Sequence, residues 1–200
     1  MHERLVGLYE ENAAAWDEIR GRILHPNECE PIDRFLAAVT PGGKILDLGC
    51  GHGAPVGALM LERGFRVTGM DTSPSLIDLA RDRLPRGEWL VGDMRQLALG
   101  QRFDGIIAWY SFFHLNFDDQ RAMFARFRDH AEPGAPLCFP AGPAHGETIG
   151  EWQDEPLYHA SLSQAEYRLL LETHGFDFLD FRNGNCAGDG PYVWLARRNG

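Results

Sequence analysis

The chain has 200 residues, 44% of them hydrophobic, which is enough to bury one sizeable core without requiring a second full domain. Its formal charge of -10 argues against a polyanionic partner such as DNA or tRNA, which needs a basic surface for counterion release. No apolar run approaches bilayer length, and the polar start Met1-His2-Glu3-Arg4 lacks a secretory pattern, so a cytoplasmic location is expected.

In chain order, Leu5, Leu8, Tyr9, Asn12, Ala15, Trp16 and Ile19 recur near helical spacing, and Pro31 to Val39 reads as a second helix opening on proline. Strands are expected near 44–48, 66–70, 88–91, 104–108 and 136–139, with helices near 54–63, 74–84 and 117–130 between them. Ser73-Pro74 supplies a cap and first turn for the second of these helices. After a helix near 163–174, two late strands joined by a glycine- and asparagine-rich link read as an antiparallel pair. Alternating strand and helix predicts an α/β protein with a mostly parallel sheet covered on both faces. The segment from Pro140 to Ser161 has little periodicity and reads as a long loop at the carboxyl edge of that sheet.

Lys44-Ile45-Leu46-Asp47-Leu48-Gly49-Cys50-Gly51-His52-Gly53 carries the strongest functional signal. Alternating glycines let main chain turn tightly and approach a ligand. Asp47 would repel a pyrophosphate and attract an ammonium or a sulfonium. Asp71, twenty-two positions after Gly49, ends the second strand where a nucleotide-binding fold sets a carboxylate against ribose hydroxyls. Gly92-Asp93-Met94 offers an acceptor and a thioether suited to a flat base.

With these segments in hand, the sequence resembles the class I S-adenosylmethionine-dependent methyltransferases, in their small-molecule branch. Ile45 to Gly53 is similar to the glycine-rich motif of that family, Gly69-Met70-Asp71-Thr72-Ser73 to its ribose motif, and Val91-Gly92-Asp93-Met94 to its adenine motif. Phe103 to Ala108 is similar to the fourth strand and Pro133 to Leu137 to the turn before the fifth, although Ala135 and Pro136 stand where a second glycine is usual. The resemblance implies a seven-stranded Rossmann-like sheet with an antiparallel final strand, formed by residues 1–200 as one methyltransferase domain. It also implies S-adenosyl-L-methionine as cofactor and a small-molecule methyl acceptor. Cofactor contacts are then expected from Asp47, Gly49, Cys50, Gly51, Gly53, Asp71, Thr72, Ser73, Asp93, Met94, Trp109 and Ser111.

Residues 1–40, with Tyr9 and Trp16, and residues 140–161 are expected to cover the site, the two aromatics serving either as cofactor cover or as packing. Direct displacement at a methyl group needs no covalent residue. His114, His145 and His159 are the candidate bases if the acceptor must lose a proton. His52 is expected on the surface. Cys29, Cys50, Cys138 and Cys186 lack metal or disulfide spacing and read as free thiols, and no His/Asp/Glu cluster has metal-ligand spacing. Two rival functions stay open on the sequence. Gly49-x-Gly51-x-x-Ala54 with Asp71 formally satisfies a dinucleotide fingerprint, implying an NAD(P)-dependent oxidoreductase, and a cofactor site without turnover implies an S-adenosylmethionine sensor.

Overall fold

The computed structural model describes residues 2–183 and 192–200, with the side chains of 6–180 and 192–200. Two helices, α1 (His2–Glu11) and α2 (Ala13–Arg20), precede α3 (Pro26–Ala38). An alternating series follows: β1 (Lys44–Leu48), α4 (Val56–Glu62), β2 (Arg66–Asp71), α5 (Pro74–Arg83), β3 (Glu88–Val91), β4 (Gly105–Ile107), α6 (Phe117–His130) and β5 (Pro136–Ala141). The remaining elements are β6 (Gly146–Trp152), β7 (Glu155–Ser161), α7 (Gln164–Thr173), β8 (Phe176–Asn183) and β9 (Tyr192–Arg198).

The main sheet has seven strands in the order β3-β2-β1-β4-β5-β9-β8. Strands β1 to β5 pair in parallel, and β9 runs antiparallel between β5 and β8. Side chains that alternate along each strand divide between two cores. Leu46, Ile106 and Phe139 face α6 and α7 through Phe124, Phe127 and Tyr167. Ile45, Ile107 and Val67 face α3, α4 and α5 through Phe35, Met60 and Ile77. Chain order reverses beside β1, which lies between β2 and β4, so a crevice opens at the carboxyl ends of β1 and β4.

Two expectations require correction. Residues 140–161 are not an irregular loop: β6 and β7 form a two-stranded antiparallel sheet, joined by Gln153 and Asp154 at φ 55° and 58°. Positive φ at both central residues is the hairpin geometry that asparagine and glycine usually signal, and neither is present, so the turn is silent in the sequence. The third helix begins at Pro26, not Pro31. Pro26 stands in the first helical turn behind a capping box in which the His25 N–H donates to Glu28 Oε2 at 2.7 Å, and Pro31 is tolerated inside at the loss of one backbone bond. Pro136 occupies the first position of the fifth strand, opposite Arg197 of β9, and pairing with β4 begins one residue later at Leu137.

Cys29, Cys50 and Cys138 are free thiols, and Cys186 and the link between the late strands lie outside the described residues. Among the described residues no His/Cys/Asp/Glu group is set to hold a metal, and no helix is long and apolar enough to cross a membrane.

Candidate active site

Beyond Leu48 the chain turns back on itself with Gly49, Gly51 and Gly53 at φ 71°, 54° and 79°. The Met70 carbonyl accepts from the Gly49 and Cys50 N–H groups at 2.7 and 3.2 Å, which ties the turn to the end of β2. Gly49 has no room for a side chain, since a Cβ there would overlap Ser111 Cβ and lie 2.7 Å from Ser111 Oγ. Ser111 is itself held by donating to the Leu48 carbonyl at 2.6 Å. The third glycine is not among the residues bordering the cleft and gives room to Leu84 and Trp89, each 2.9 Å from where a Cβ on Gly53 would stand.

An open cleft lies over this turn in two adjoining lobes. The larger, about 680 Å³, is bordered by Asp71, Thr72, Asp93, Met94, Tyr9 and His114, among others. The smaller, about 400 Å³, is bordered by Asp47, Cys50, Arg20 and Trp109. Four residues border both: Trp16, Gly49, Gly51 and Tyr110. All three strand-tip acids therefore meet one cleft, although they occupy different parts of it.

The acids differ in what holds them. Asp71 accepts from the N–H groups of Gly51 and Ser73 at 2.8 and 3.0 Å, fixing the carboxylate while burial raises its pKa. Asp47 is 2% exposed, and burial, reinforced by the neighbouring Asp71 charge, pushes its pKa up to about 7. A buried carboxyl at that value gains from a cationic neighbour. Asp93 is gripped by its own turn, accepting from the Arg95 backbone N–H at 2.9 Å and from its guanidinium at 2.6 Å. Ser73 does not border the cleft; its hydroxyl caps α5 at Leu76 N–H and donates to Glu10 of α1.

The cover is aromatic. Tyr9 stacks on Trp152 of β6 with ring centroids 5.2 Å apart, and Trp16 meets both rings edge-on at 5.2 and 5.6 Å. Tyr9 and Trp16 are partly buried, pack on one another and on Trp152, and border the cleft. His114 joins this cover to the sheet. Its Nδ1 lies 2.9 Å from the Tyr158 carbonyl oxygen, which can only accept, so Nδ1 carries a proton, and Nε2 lies 3.2 Å from the Tyr9 hydroxyl. His159 sits against His114, ring centroids 4.9 Å apart, and burial lowers its pKa. His145 is not brought to the cleft; it stacks on Phe117 at 4.4 Å.

His52 is not a surface residue. It is 1% exposed, its Nδ1 accepts from Ala54 N–H at 3.2 Å, and its Nε2 lies 3.6 Å from an Asp17 carboxylate oxygen of α2. The partner that buries it is 35 positions away in the chain, so nothing local signals it. Several site residues were equally silent. Glu28, fully buried, pairs with Arg20 at 2.9 Å and accepts from Trp109 Nε1 at 2.9 Å; its one sequence cue is its place three residues into a helix. Tyr110, at φ 53°, carries no such cue.

Comparison with known proteins agrees with this architecture. Residues 45–134 match a family described as a methyltransferase domain. The chain is 47% identical over 72 residues to magnesium-protoporphyrin O-methyltransferase of Rhodobacter capsulatus, covering 34% of this chain and 31% of that protein. It is 33% identical over 96 residues to malonyl-[acyl-carrier protein] O-methyltransferase of Serratia marcescens, covering 48% and 33%. The chain thus spans about a third of the length of these two curated relatives. Among solved structures, the Burkholderia thailandensis 1,6-didemethyltoxoflavin-N1-methyltransferase, with bound 1,6-didemethyltoxoflavin and S-adenosylhomocysteine, superposes with a TM-score of 0.75 at 20% identity, covering 100% of this chain and 87% of that one. The matched segment, residues 45–134, contains the glycine turn and the three strand-tip acids Asp47, Asp71 and Asp93.

Proposed function

We propose that this chain binds S-adenosyl-L-methionine in the two-lobed cleft and transfers its methyl group to a small-molecule acceptor. One observation carries the reading: Asp47, Asp71 and Asp93, from three successive strand tips, border a single cleft whose floor is a glycine turn with no side chain in the way. That donor and acceptor set suits a ligand with a cationic amino-acid end, a sugar diol and a flat base. It opposes a dinucleotide, whose pyrophosphate would face buried Asp47.

In this reading Asp47 attracts the ammonium of the amino-acid tail, and Arg20 at the rim of the same lobe faces its carboxylate. Asp71, held by backbone N–H groups, faces the ribose hydroxyls. Met94 packs on the base, with Asp93 and Thr72 at its edge, and Gly49, Cys50, Gly51, Trp109 and Ser111 shape the floor and wall. The cofactor, when bound, supplies a methyl carbon that is electrophilic because it is attached to a positively charged sulfur. The helices of residues 1–40 and the hairpin within 140–161 exclude water and hold the acceptor in line, an alignment worth roughly 7 to 11 kcal/mol. His114 Nε2, which faces the Tyr9 hydroxyl, is the candidate site for a proton leaving the acceptor, and His159 packs against its ring. The net charge of -10 favours a small molecule over nucleic acid as acceptor.

Isothermal titration with S-adenosylmethionine, S-adenosylhomocysteine and NAD tests the cofactor, and a panel of phenols, amines, thiols and carboxylic acids tests transfer. Micromolar binding of the first two and turnover of at least one acceptor is the expected result. NAD binding in their place would establish the oxidoreductase instead, and tight binding without any transfer would establish a sensor.

A further inference from the structure

Of the four residues that border both lobes, Gly49 and Gly51 have no side chain, so Trp16 and Tyr110 are the two rings at the boundary. A methyl donor with its adenosine in the larger lobe and its amino-acid tail in the smaller passes its sulfur through that boundary. Tyr110 reaches the boundary against its backbone preference, because φ 53° is rare for a bulky residue. Neighbours on both sides hold it there: the Ala108 N–H donates to Cys138 O at 2.9 Å, Trp109 Nε1 to Glu28 Oε1 at 2.9 Å, and Ser111 Oγ to Leu48 O at 2.6 Å. Strain of this kind persists where the surroundings over-determine it, and it concentrates at functional positions. Trp16 is placed as firmly, with Nε1 3.4 Å from the site a Cβ on Gly51 would take and its ring edge-on to Tyr9 and Trp152. The Arg20 guanidinium, 5.8 Å from the Tyr110 ring centroid, is paired with Glu28.

We propose, resting on the reading of this cleft as an S-adenosylmethionine site, that Trp16 and Tyr110 form an aromatic collar that recognises the sulfonium by its charge and so separates the methylated donor from its neutral, demethylated product. The negative face of an aromatic ring attracts a cation, tryptophan most strongly, and the attraction grows when water is excluded. The product keeps every other group of the donor and loses only the methyl and the charge. A collar therefore weakens its hold at the moment transfer is complete.

The test is the ratio of dissociation constants for S-adenosylhomocysteine and S-adenosylmethionine, measured by titration calorimetry on wild type, Trp16→Leu, Tyr110→Leu and Tyr110→Phe. Each leucine variant is expected to lower the preference for the methylated donor by roughly three- to thirtyfold, while Tyr110→Phe, which keeps the ring, stays within about twofold of wild type. Loss of packing alone weakens both ligands equally and leaves the ratio unchanged; that outcome overturns the collar. Should a leucine variant fail to fold, Trp16→Phe decides, since a weaker ring must lower the ratio by an intermediate amount and an unchanged ratio again overturns the proposal. Wild-type protein that binds neither ligand overturns the cofactor reading, and the collar with it, whereas binding of both with invariant ratios overturns the collar alone.

Discussion

Asp17 of α2 and Arg83 at the end of α5 form a two-point ion pair, with Arg83 Nη2 donating to Asp17 Oδ2 at 2.8 Å and Nη1 to Oδ1. At the other end of α5, Glu10 of α1 accepts from Ser75 N–H at 3.1 Å and from its hydroxyl at 2.6 Å. The helical cover is thus clamped to both ends of one helix, and that helix begins directly after the Asp71 turn. Arg83→Gln is expected to release the α2 end of the clamp. The pair is partly exposed, so the change costs about 1 kcal/mol, or a melting temperature lower by about 2–4 °C. The informative result is kinetic: S-adenosylhomocysteine should dissociate faster in the variant, as followed by tryptophan fluorescence in stopped flow. An unchanged dissociation rate would mean that the clamp does not limit ligand exit.

The clamp also has an acid limit. Arg83 holds the Asp17 carboxyl below its ordinary pKa, and Ser73 does the same for Glu10. Each contributes stability that is fully present above its unfolded value and is lost as pH falls through the lower, folded one. Asp47 has the opposite sign. Its pKa rises from 3.8 to about 7, so the folded chain holds a proton that the unfolded chain releases, and stability falls as pH rises across that window. A bound cation reverses the balance by favouring the carboxylate. Calorimetry slightly below neutral pH in buffers of different ionisation heat should detect proton release when S-adenosylmethionine binds, and Asp47→Asn should abolish it. Binding without proton release in wild type would place the ammonium elsewhere.

The sheet was legible because β1, β2 and β3 are short, largely apolar runs that end at Gly49, Asp71 and Gly92-Asp93, and because Ser73-Pro74 marks a helix start by local chemistry. The three acids were legible for the same reason: a residue at a strand tip is positioned by the strand. What escaped depends on partners remote in sequence. His52 is buried by Asp17, Glu28 by Arg20 and Trp109, and Tyr110 is forced to positive φ by bonds from its neighbours to three other segments. The β6–β7 hairpin escaped because Gln153-Asp154 adopts a turn without its usual residues, and because β6 is largely exposed and so lacks a clean apolar alternation.

Two glycines with positive φ separate conformational cost from steric cost. Gly134, at φ 84°, has open space where a Cβ would stand, so Gly134→Ala should cost only the strain, about 1–2 kcal/mol. Gly49→Ala adds the displacement of Ser111 and the loss of its buried bond to the Leu48 carbonyl, worth about 1–3 kcal/mol more. Chemical denaturation should show Gly49→Ala as the more damaging change, with S-adenosylhomocysteine affinity reduced in that variant alone. Equal costs would mean that the wall around Ser111 yields freely.

His114 offers the sharpest test of the chemistry, because its two nitrogens have separable roles. Nδ1–H is committed to the Tyr158 carbonyl at 2.9 Å, which orients the ring, while Nε2 faces Tyr9 and the cleft. If Nε2 takes the acceptor proton, His114→Ala should lower kcat by roughly 10²–10⁴-fold on the best acceptor of the panel while cofactor affinity changes little. Tyr9→Phe removes the hydroxyl that occupies Nε2 and leaves the base itself, so turnover should persist, and the acidic limb of the pH–rate profile should remain in this variant and vanish in His114→Ala. A purely structural His114 predicts another pattern: both variants lose stability by about 1 kcal/mol per broken bond, with kcat nearly intact in each. Full turnover in His114→Ala would exclude the histidine as base and leave alignment within the cleft to supply the acceleration.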